Sequence, residues 1–366
     1  MKIAMIGQKG IPTLFGGVER HVEGLSLTLS KRKDCQVFVY AREYYTPRKT
    51  KKYNGVNIIH LPSVKSKHLD AISHVFLSTW HAILILRPEV IHYHGIGPAL
   101  CLWIPKIFSP KTKVVFTFHC RDYFHKKWNK VAQYFLKAGE AVGCRFADEI
   151  IAVSEEIQRY IKKKYGVDSS FIPHGVSEEK KLPAKLIKQW GLSQGGYILV
   201  VSRLVAHKGI HYLIEAYKQI KTDKKLVIAG PSFYTDAYEK KIKLAAGNNP
   251  KIIFLGAQKG KTLTELYSNA YLFINPSEQE GLPLAVLEAG SFGCLLLLSD
   301  IPIHRKMFSD IPFFFRKSDP EDLKTNLERI LKKGRQLQSK KSEAMKYSRK
   351  NYNWEKVVKK IILKYA

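Results

Sequence analysis

Acidic residues are scarce: 31 Asp and Glu stand against 61 Lys and Arg in 366 residues, a formal net charge of +30. That balance excludes an acidic, solvating chain and raises an anionic partner. The surplus is spread evenly, however, with +14 on residues 1–175 and +16 on the rest, as on a lysine-rich surface and unlike a basic arm or tail. Cysteine is sparse too. Cys35, Cys101, Cys120, Cys144 and Cys294 are odd in number and contain no C-x-x-C pair, which argues against a disulfide framework or a zinc cluster and points to a reducing cytosol. Long apolar runs are missing. The longest stretch, Val75 to Leu86, is broken by Ser78, Thr79 and His81 and falls short of the roughly 20 residues a spanning helix needs. Lys2 is followed by a short strand-like stretch, so no signal peptide is expected and the protein is expected to be soluble or at most attached to a membrane surface.

What is present suits a sizeable core. Hydrophobic residues make up 45% of the chain and aromatics 11%, and the length favours two domains over one. Short apolar runs, each followed by a helical pattern, recur at Ile3–Ile6, Val37–Tyr40, Val90–Tyr93, Val114–Phe118 and Ile150–Val153. After Pro173 a polar stretch, Ser177 to Lys188, intervenes. The alternation then restarts at Ile198–Val201, Leu226–Ala229, Ile252–Leu255, Leu272–Ile274 and Leu295–Leu298. This predicts an α/β class with two parallel sheets, one in 1–175 and one in 176–349. A last helix carries Trp354, Val357, Val358, Ile361, Ile362 and Tyr365 at three- and four-residue spacing behind Asn353, so it needs a surface to bury against.

Parallel sheets bind ligands at the carboxyl ends of their strands, and the informative segments lie there. After Leu272–Asn275 comes Pro276-Ser277-Glu278-Gln279-Glu280-Gly281-Leu282-Pro283-Leu284-Ala285-Val286-Leu287-Glu288-Ala289. Pro283 suits a first helical turn, and a helix begun there aims the unpaired amides around Leu284 and Ala285 at the strand end, where they can hold a phosphate. Glu280 and Glu288, eight positions apart, can accept hydrogen bonds from hydroxyls at two ends of one elongated ligand; two solvated glutamates on a surface helix are the plain alternative. After Ile198–Val201, Arg203 and Lys208 put two cations at a strand exit, the first able to fork two phosphate oxygens. In the first half, Gly16-Gly17 precedes a helix marked by Val18, Val22, Leu25 and Leu29, and a glycine pair permits close approach of an anion. A G-x-G-x-x-G fingerprint is absent. His92, His94 and His119 end apolar strands. His92 and His94 offer a metal pair without an evident third ligand, so no metal is expected.

Together these segments resemble the retaining, nucleotide-sugar-dependent glycosyltransferases of the GT-B fold, family 4, in a rhamnosyltransferase-like branch of bacterial polysaccharide biosynthesis. E-G-L-P-L-x3-E-A resembles that family's E-x7-E motif, which implies Glu280 on the donor sugar, Glu288 on the ribose, and Gly281, Leu282, Pro283 and Leu284 along the sugar and diphosphate. S-R-L-x3-K-G resembles its diphosphate clamp, with Ser202 where glycine is usual. The opening I-G-x-K-G-I-P followed by G-G-x-E implies donor contacts for Gly16 and Gly17. His119 matches a strand-end histidine that contacts the donor sugar, and His174 stands where asparagine is usual.

The resemblance implies two Rossmann-like domains facing across a cleft, 1–175 with about 350–366 and 176–349, the final helix crossing back to the first. It implies transfer of a sugar from a nucleotide-diphosphate sugar to a hydroxyl of a glycan acceptor, often lipid-linked, with retention and without a cofactor. No Asp-x-Asp marks the metal-dependent GT-A type. A cytoplasmic protein is expected, with an anionic membrane surface as a further partner and no nucleic acid. The stretch from Asp122 through Lys126, Lys127, Trp128 and Lys130 to Leu136 suits a headgroup surface or a sheet-covering helix. Two other readings stay open: a sugar-nucleotide epimerase or phosphorylase on the same scaffold, and a non-enzymatic basic binder of membrane or nucleic acid.

Overall fold

The computed structural model describes residues 1–64, 66, 69–124, 129–232 and 236–366; Lys126, Lys127 and Trp128 lie outside the described residues. The chain divides into two compact units, Met1–Gly175 with Trp354–Ala366, and Val176–Asn353.

In the first unit the elements run β1 (Lys2–Ile6), α1 (Gly17–Leu29), β2 (Gln36–Arg42), β3 (Lys52–Tyr53), β4 (Val56–Leu61), α2 (Leu69–His81), β5 (Val90–His94), α3 (Trp103–Phe108), β6 (Lys113–Phe118), α4 (Lys130–Phe146), β7 (Glu149–Ala152), α5 (Glu155–Tyr165) and β8 (Ser170–Phe171). The strands form one sheet in the order β3-β4-β2-β1-β5-β6-β7-β8, parallel except for β3 against β4. Residues 3–6 of β1 and all of β5 are buried, as continuous apolar strands covered on both faces must be.

The second unit runs β9 (Tyr197–Val201), α6 (Ile210–Lys218), β10 (Lys225–Ala229), α7 (Asp236–Ala246), β11 (Ile252–Gly256), α8 (Gly260–Asn269), β12 (Leu272–Asn275), α9 (Leu284–Ser291), β13 (Leu295–Ser299), α10 (Pro302–Phe308), β14 (Phe313–Phe315), α11 (Pro320–Lys333) and α12 (Gln338–Asn351). Its six strands are all parallel, in the order β11-β10-β9-β12-β13-β14.

Two details depart from the sequence expectations. The apolar stretch taken as short is part of a continuous helix: α2 runs on into a π-helical turn, Ala82–Leu86. Those 18 residues, of mean hydropathy 1.5, form the one helix among the described residues long and apolar enough to cross a membrane, and one-third of them are buried within the unit. Second, the described part of the stretch after His119 is a 3-10 turn at Asp122–Phe124 and the start of α4 at Lys130, where the Asn129 side chain caps the helix by accepting from the Ala132 amide at 2.9 Å.

The last helix, α13 (Trp354–Tyr365), belongs to the first unit, where it packs against α1. The Trp354 indole lies over His21 at a centroid distance of 5.4 Å and directly against Gly24 and Gly175, where a Cβ would collide with it. At the other end the Tyr365 hydroxyl meets His92 Nδ1 at 2.7 Å. A Trp354→Ala chain should therefore lose about 3–5 kcal/mol, measured by denaturant unfolding; an unshifted midpoint would show that the helix docks without this anchor.

Candidate active site

The second unit changes the direction of its connections between two adjacent strands. From β9 the chain leads through α6 to β10 on one side; from β12 it leads through α9 to β13 on the other. Such a switch point leaves an opening beyond the carboxyl ends of the two strands. Ser202–Gly209 leaves β9 there and Pro276–Pro283 leaves β12. The two loops are stitched together by the Glu278 amide, which donates to the His207 carbonyl at 2.8 Å. Gly209 sits at φ +65°, and a Cβ would strike the Pro276 carbonyl, so the K-G glycine is what lets the loops touch.

Lys208 and Glu280, assigned above to diphosphate and sugar, are joined to each other. Lys208 Nζ lies 2.5 Å from Glu280 Oε1, with only 13% and 8% of the two side chains exposed. The same oxygen accepts from Ser277 Oγ at 2.7 Å. Burial alone would raise the Glu280 pKa, but the Lys208 charge and the hydrogen bonds from Lys208 and Ser277 outweigh it and hold the carboxyl at about 2. Behind it, Ser299 Oγ donates to the Ser277 carbonyl at 2.6 Å, and His304 Nδ1 lies 2.9 Å from the Ser299 carbonyl. His304 is fully buried, and desolvation lowers its pKa to about 4 against the opposing pull of Glu280. Neither Ser277 nor His304 carried a motif signal.

Helix α9 opens this site. Pro283 is its N-cap, with extended backbone, one position before the first helical turn expected for it. Its carbonyl accepts from the amides of Val286 and Leu287. The amides of Leu284 and Ala285 have no backbone partner among the described residues, so two donors and the positive end of the helix face the strand end. Glu288, one turn on, accepts from the Tyr267 hydroxyl at 3.0 Å, and Tyr267 stacks on Phe292. The half-buried Arg203 forms no ion pair among the described residues. Arg203, Lys208, Glu280, residues 281–284 and Glu288 thus belong to one unit, on two loops and the helix α9 at one switch point.

The first unit has its own switch point between β1 and β5. Gly16 caps α1 at φ +108°, where a Cβ would collide with the Glu19 carboxylate, while a Cβ on Gly17 would meet nothing within 4 Å. Glu19 has a structural task, accepting from the Lys9 amide at 3.2 Å and holding the loop after β1. His119 is 4% exposed and both ring nitrogens are engaged, Nε2 with His94 Nδ1 at 3.3 Å and Nδ1 with His174 Nε2 at 3.1 Å. A sugar contact through either nitrogen would displace one of these partners.

The expected His92–His94 pair gains no third ligand among the described residues, but His94 belongs to a different trio. α1 brings in His21, and one ring nitrogen from each of His21, His94 and His119 lies within 4.8 Å of the others. Sequence spacing could not show this, because His21 and His94 are 73 positions apart. The trio could take a cation only by breaking the His94–His119–His174 hydrogen bonds, so its plainer role is to fix His119.

Residues 15–180 match the family model described as Glycosyltransferase Family 4, and residues 184–352 match that of Glycosyl transferases group 1. The chain belongs with the family 4-type glycosyltransferases. An uncharacterized glycosyltransferase of Methanocaldococcus jannaschii is 26% identical over 335 residues, 82% of this chain and 81% of that protein. A putative teichuronic acid biosynthesis glycosyltransferase, TuaC, of Bacillus subtilis is 29% identical over 59% of this chain and 54% of its own length. The O-antigen chain mannosyltransferase RfbU of Salmonella typhimurium is 24% identical over 69% and 64%. Among solved structures, HepE of Anabaena with UDP-glucose superposes with a TM-score of 0.81 at 18% identity, covering 99% of this chain and 98% of that one. Sucrose-phosphate synthase of Thermosynechococcus elongatus superposes with a TM-score of 0.83 at 18% identity, over 100% and 98%. These structures establish the fold, two Rossmann-like α/β domains of the GT-B type.

Proposed function

We propose that this glycosyltransferase moves a sugar from a nucleotide-diphosphate sugar to a hydroxyl of a lipid-linked glycan in cell-surface polysaccharide synthesis, with retention and without a metal. The observation that carries the donor class is the second unit's switch point, where the loop carrying Arg203 and Lys208 meets the loop carrying Glu280 just before the start of α9, the helix that carries Glu288. Departure of the diphosphate is the barrier, so the cations and helix amides act on charge that grows in the transition state. Glu288 is assigned to the ribose, Glu280 to the sugar hydroxyls, and the backbone of Gly281, Leu282, Pro283 and Leu284 to the sugar and diphosphate. In the first unit, Gly16 and Gly17 are assigned to the donor phosphate and acceptor and His119 to the donor sugar.

Retention rests on the family resemblance, and the site bears only on its route. Glu280 Oε1 is held by Lys208 and Ser277, and Glu288 by Tyr267, so neither carboxylate is poised for covalent attack. The leaving diphosphate is then the base that takes the acceptor's proton on the same face. TuaC and RfbU are described as a teichuronic acid and an O-antigen enzyme, which supports the polysaccharide setting. Cytoplasmic placement with attachment to the inner membrane face follows from a lipid-linked acceptor.

The test is a binding and transfer assay on Glu288→Ala. Losing the ribose anchor should weaken nucleotide-sugar affinity roughly tenfold or more, about 1.5–3 kcal/mol for a charged hydrogen bond. It should leave acceptor affinity unchanged. Equal donor affinity in the variant would remove Glu288 from the ribose.

A further inference from the structure

We propose that the outer surface of the α2–α3–α4 layer in the first unit is a docking face for an anionic lipid bilayer. The choice of a bilayer rests in part on the lipid-linked acceptor proposed above; the face itself rests on independent observations.

Among the described residues, 13 of the 19 exposed large apolar side chains fall between Leu69 and Phe146, and two lie in the whole second unit. Scattered apolar residues need no explanation, but a concentration of this kind on one layer marks an interaction surface. The three helices follow rightward parallel crossovers in the sheet order, from β4 to β5, β5 to β6 and β6 to β7, and right-handed connections put them on one sheet face. They also touch: Trp80 of α2 lies 5.0 Å from Phe108 of α3, and Gly139 of α4 packs on the Ile96 carbonyl before α3. Outward from this layer stand Phe76, Leu84, Ile85, Phe108, Tyr134 and Phe135, Ile85 being 70% and Tyr134 72% exposed.

Charge decides the occupant. Exposed cations interleave with these residues: Arg87, Lys111, Lys130, Lys137 and Arg145. Two of the three acidic side chains described in the same segment are turned to the protein: Asp70 pairs with the buried Arg42, and Glu140 is fully buried and accepts from Tyr160, Lys164 and Tyr165. Glu89, just before β5 and two positions from Arg87, is 60% exposed and accepts from the Lys2 amide. A face that is apolar and aromatic, with five exposed cations against one exposed acid in the described segment, fits the headgroup boundary of anionic lipids. A second copy of a +30 chain would bring like charge to the same face.

The full chain is sedimented with vesicles of phosphatidylcholine alone and of phosphatidylcholine with phosphatidylglycerol. The variants are Leu84→Glu with Ile85→Glu and, as a control on an exposed apolar residue of the second unit, Leu244→Glu. Binding to the anionic vesicles is expected, with roughly a tenfold or greater loss in the double variant and none in the control. Undiminished binding by the double variant would overturn the assignment, and so would equal binding to neutral vesicles or no binding at all. A concentration-dependent dimer abolished by the double variant would overturn it in favour of self-association. Nucleotide-sugar stabilisation is measured alongside. Vesicle binding that behaves as stated, in a chain that responds to no nucleotide sugar, would uphold the face and sink the transferase reading.

Discussion

Between pH 7 and pH 5 the first unit is expected to lose stability, its melting temperature falling as pH drops below about 6.5. His21, His92, His94 and His119 are each at most 4% exposed. Burial is the largest cause that lowers each of their pKa values, to about 3 for His92 and well below 6.5 for the others, and neighbouring histidines add to it for His21, His94 and His119. In the unfolded chain the same imidazoles take up protons as pH falls through about 6.5. The unfolded state then binds more protons than the folded one, so stability falls as pH falls below that value. Melting temperature followed from pH 8 to pH 5 should drop steeply below pH 6.5. A flat profile down to pH 5 would mean that the stack is solvated or charged in the folded state.

The second large effect is a separation of stability from turnover at the Lys208–Glu280 pair. Lys208→Ala leaves a buried carboxylate without its cation, at a cost of about 3–5 kcal/mol, and should slow sugar transfer by roughly 10² to 10³ through lost stabilisation of the diphosphate. Adding Glu280→Gln removes the stranded charge, so most of the stability should return while transfer stays slow. Recovery of both together would make the pair a purely structural bridge. The low Glu280 pKa gives a second check: its folded value lies below the ordinary 4.5, so the pair's contribution is complete above that pH and is lost as pH falls from 4.5 towards 2.

Much of this was legible in sequence because parallel strands buried on both faces read as plain apolar runs, and their carboxyl ends mark where ligands go. β3, β4, β8 and β14 were not. Three of them have two or three residues, too few for any period, and β4 carries Asn57 and His60 among its apolar positions. The helix at Leu69–Leu86 was underread for a specific reason. The residues that break its apolar run are the ones facing inward: Ser78 and Thr79 are fully buried, Thr79 meets the Tyr93 hydroxyl at 2.8 Å, and His81 Nδ1 meets the Tyr40 hydroxyl at 3.0 Å. Leu69, Phe76, Leu77, Leu84 and Ile85 face out, while Val75, Ala82 and Ile83 face inward. In the site, the motifs located Lys208 and Glu280 but not their pairing across 72 positions, and nothing local marked Ser277, Tyr267, His304 or the fixing of His119 by His94 and His174.

The second unit is expected to grip the diphosphate of a nucleotide sugar at the junction of the loops after β9 and β12. Titration of a panel of nucleotide-diphosphate sugars into the full chain and into Arg203→Ala tests it. One member of the panel should stabilise the full chain by about 2.7 kcal/mol at a hundred times its dissociation constant, and Arg203→Ala should abolish most of that gain. No response to any member, or equal affinity in Arg203→Ala, would contradict the account.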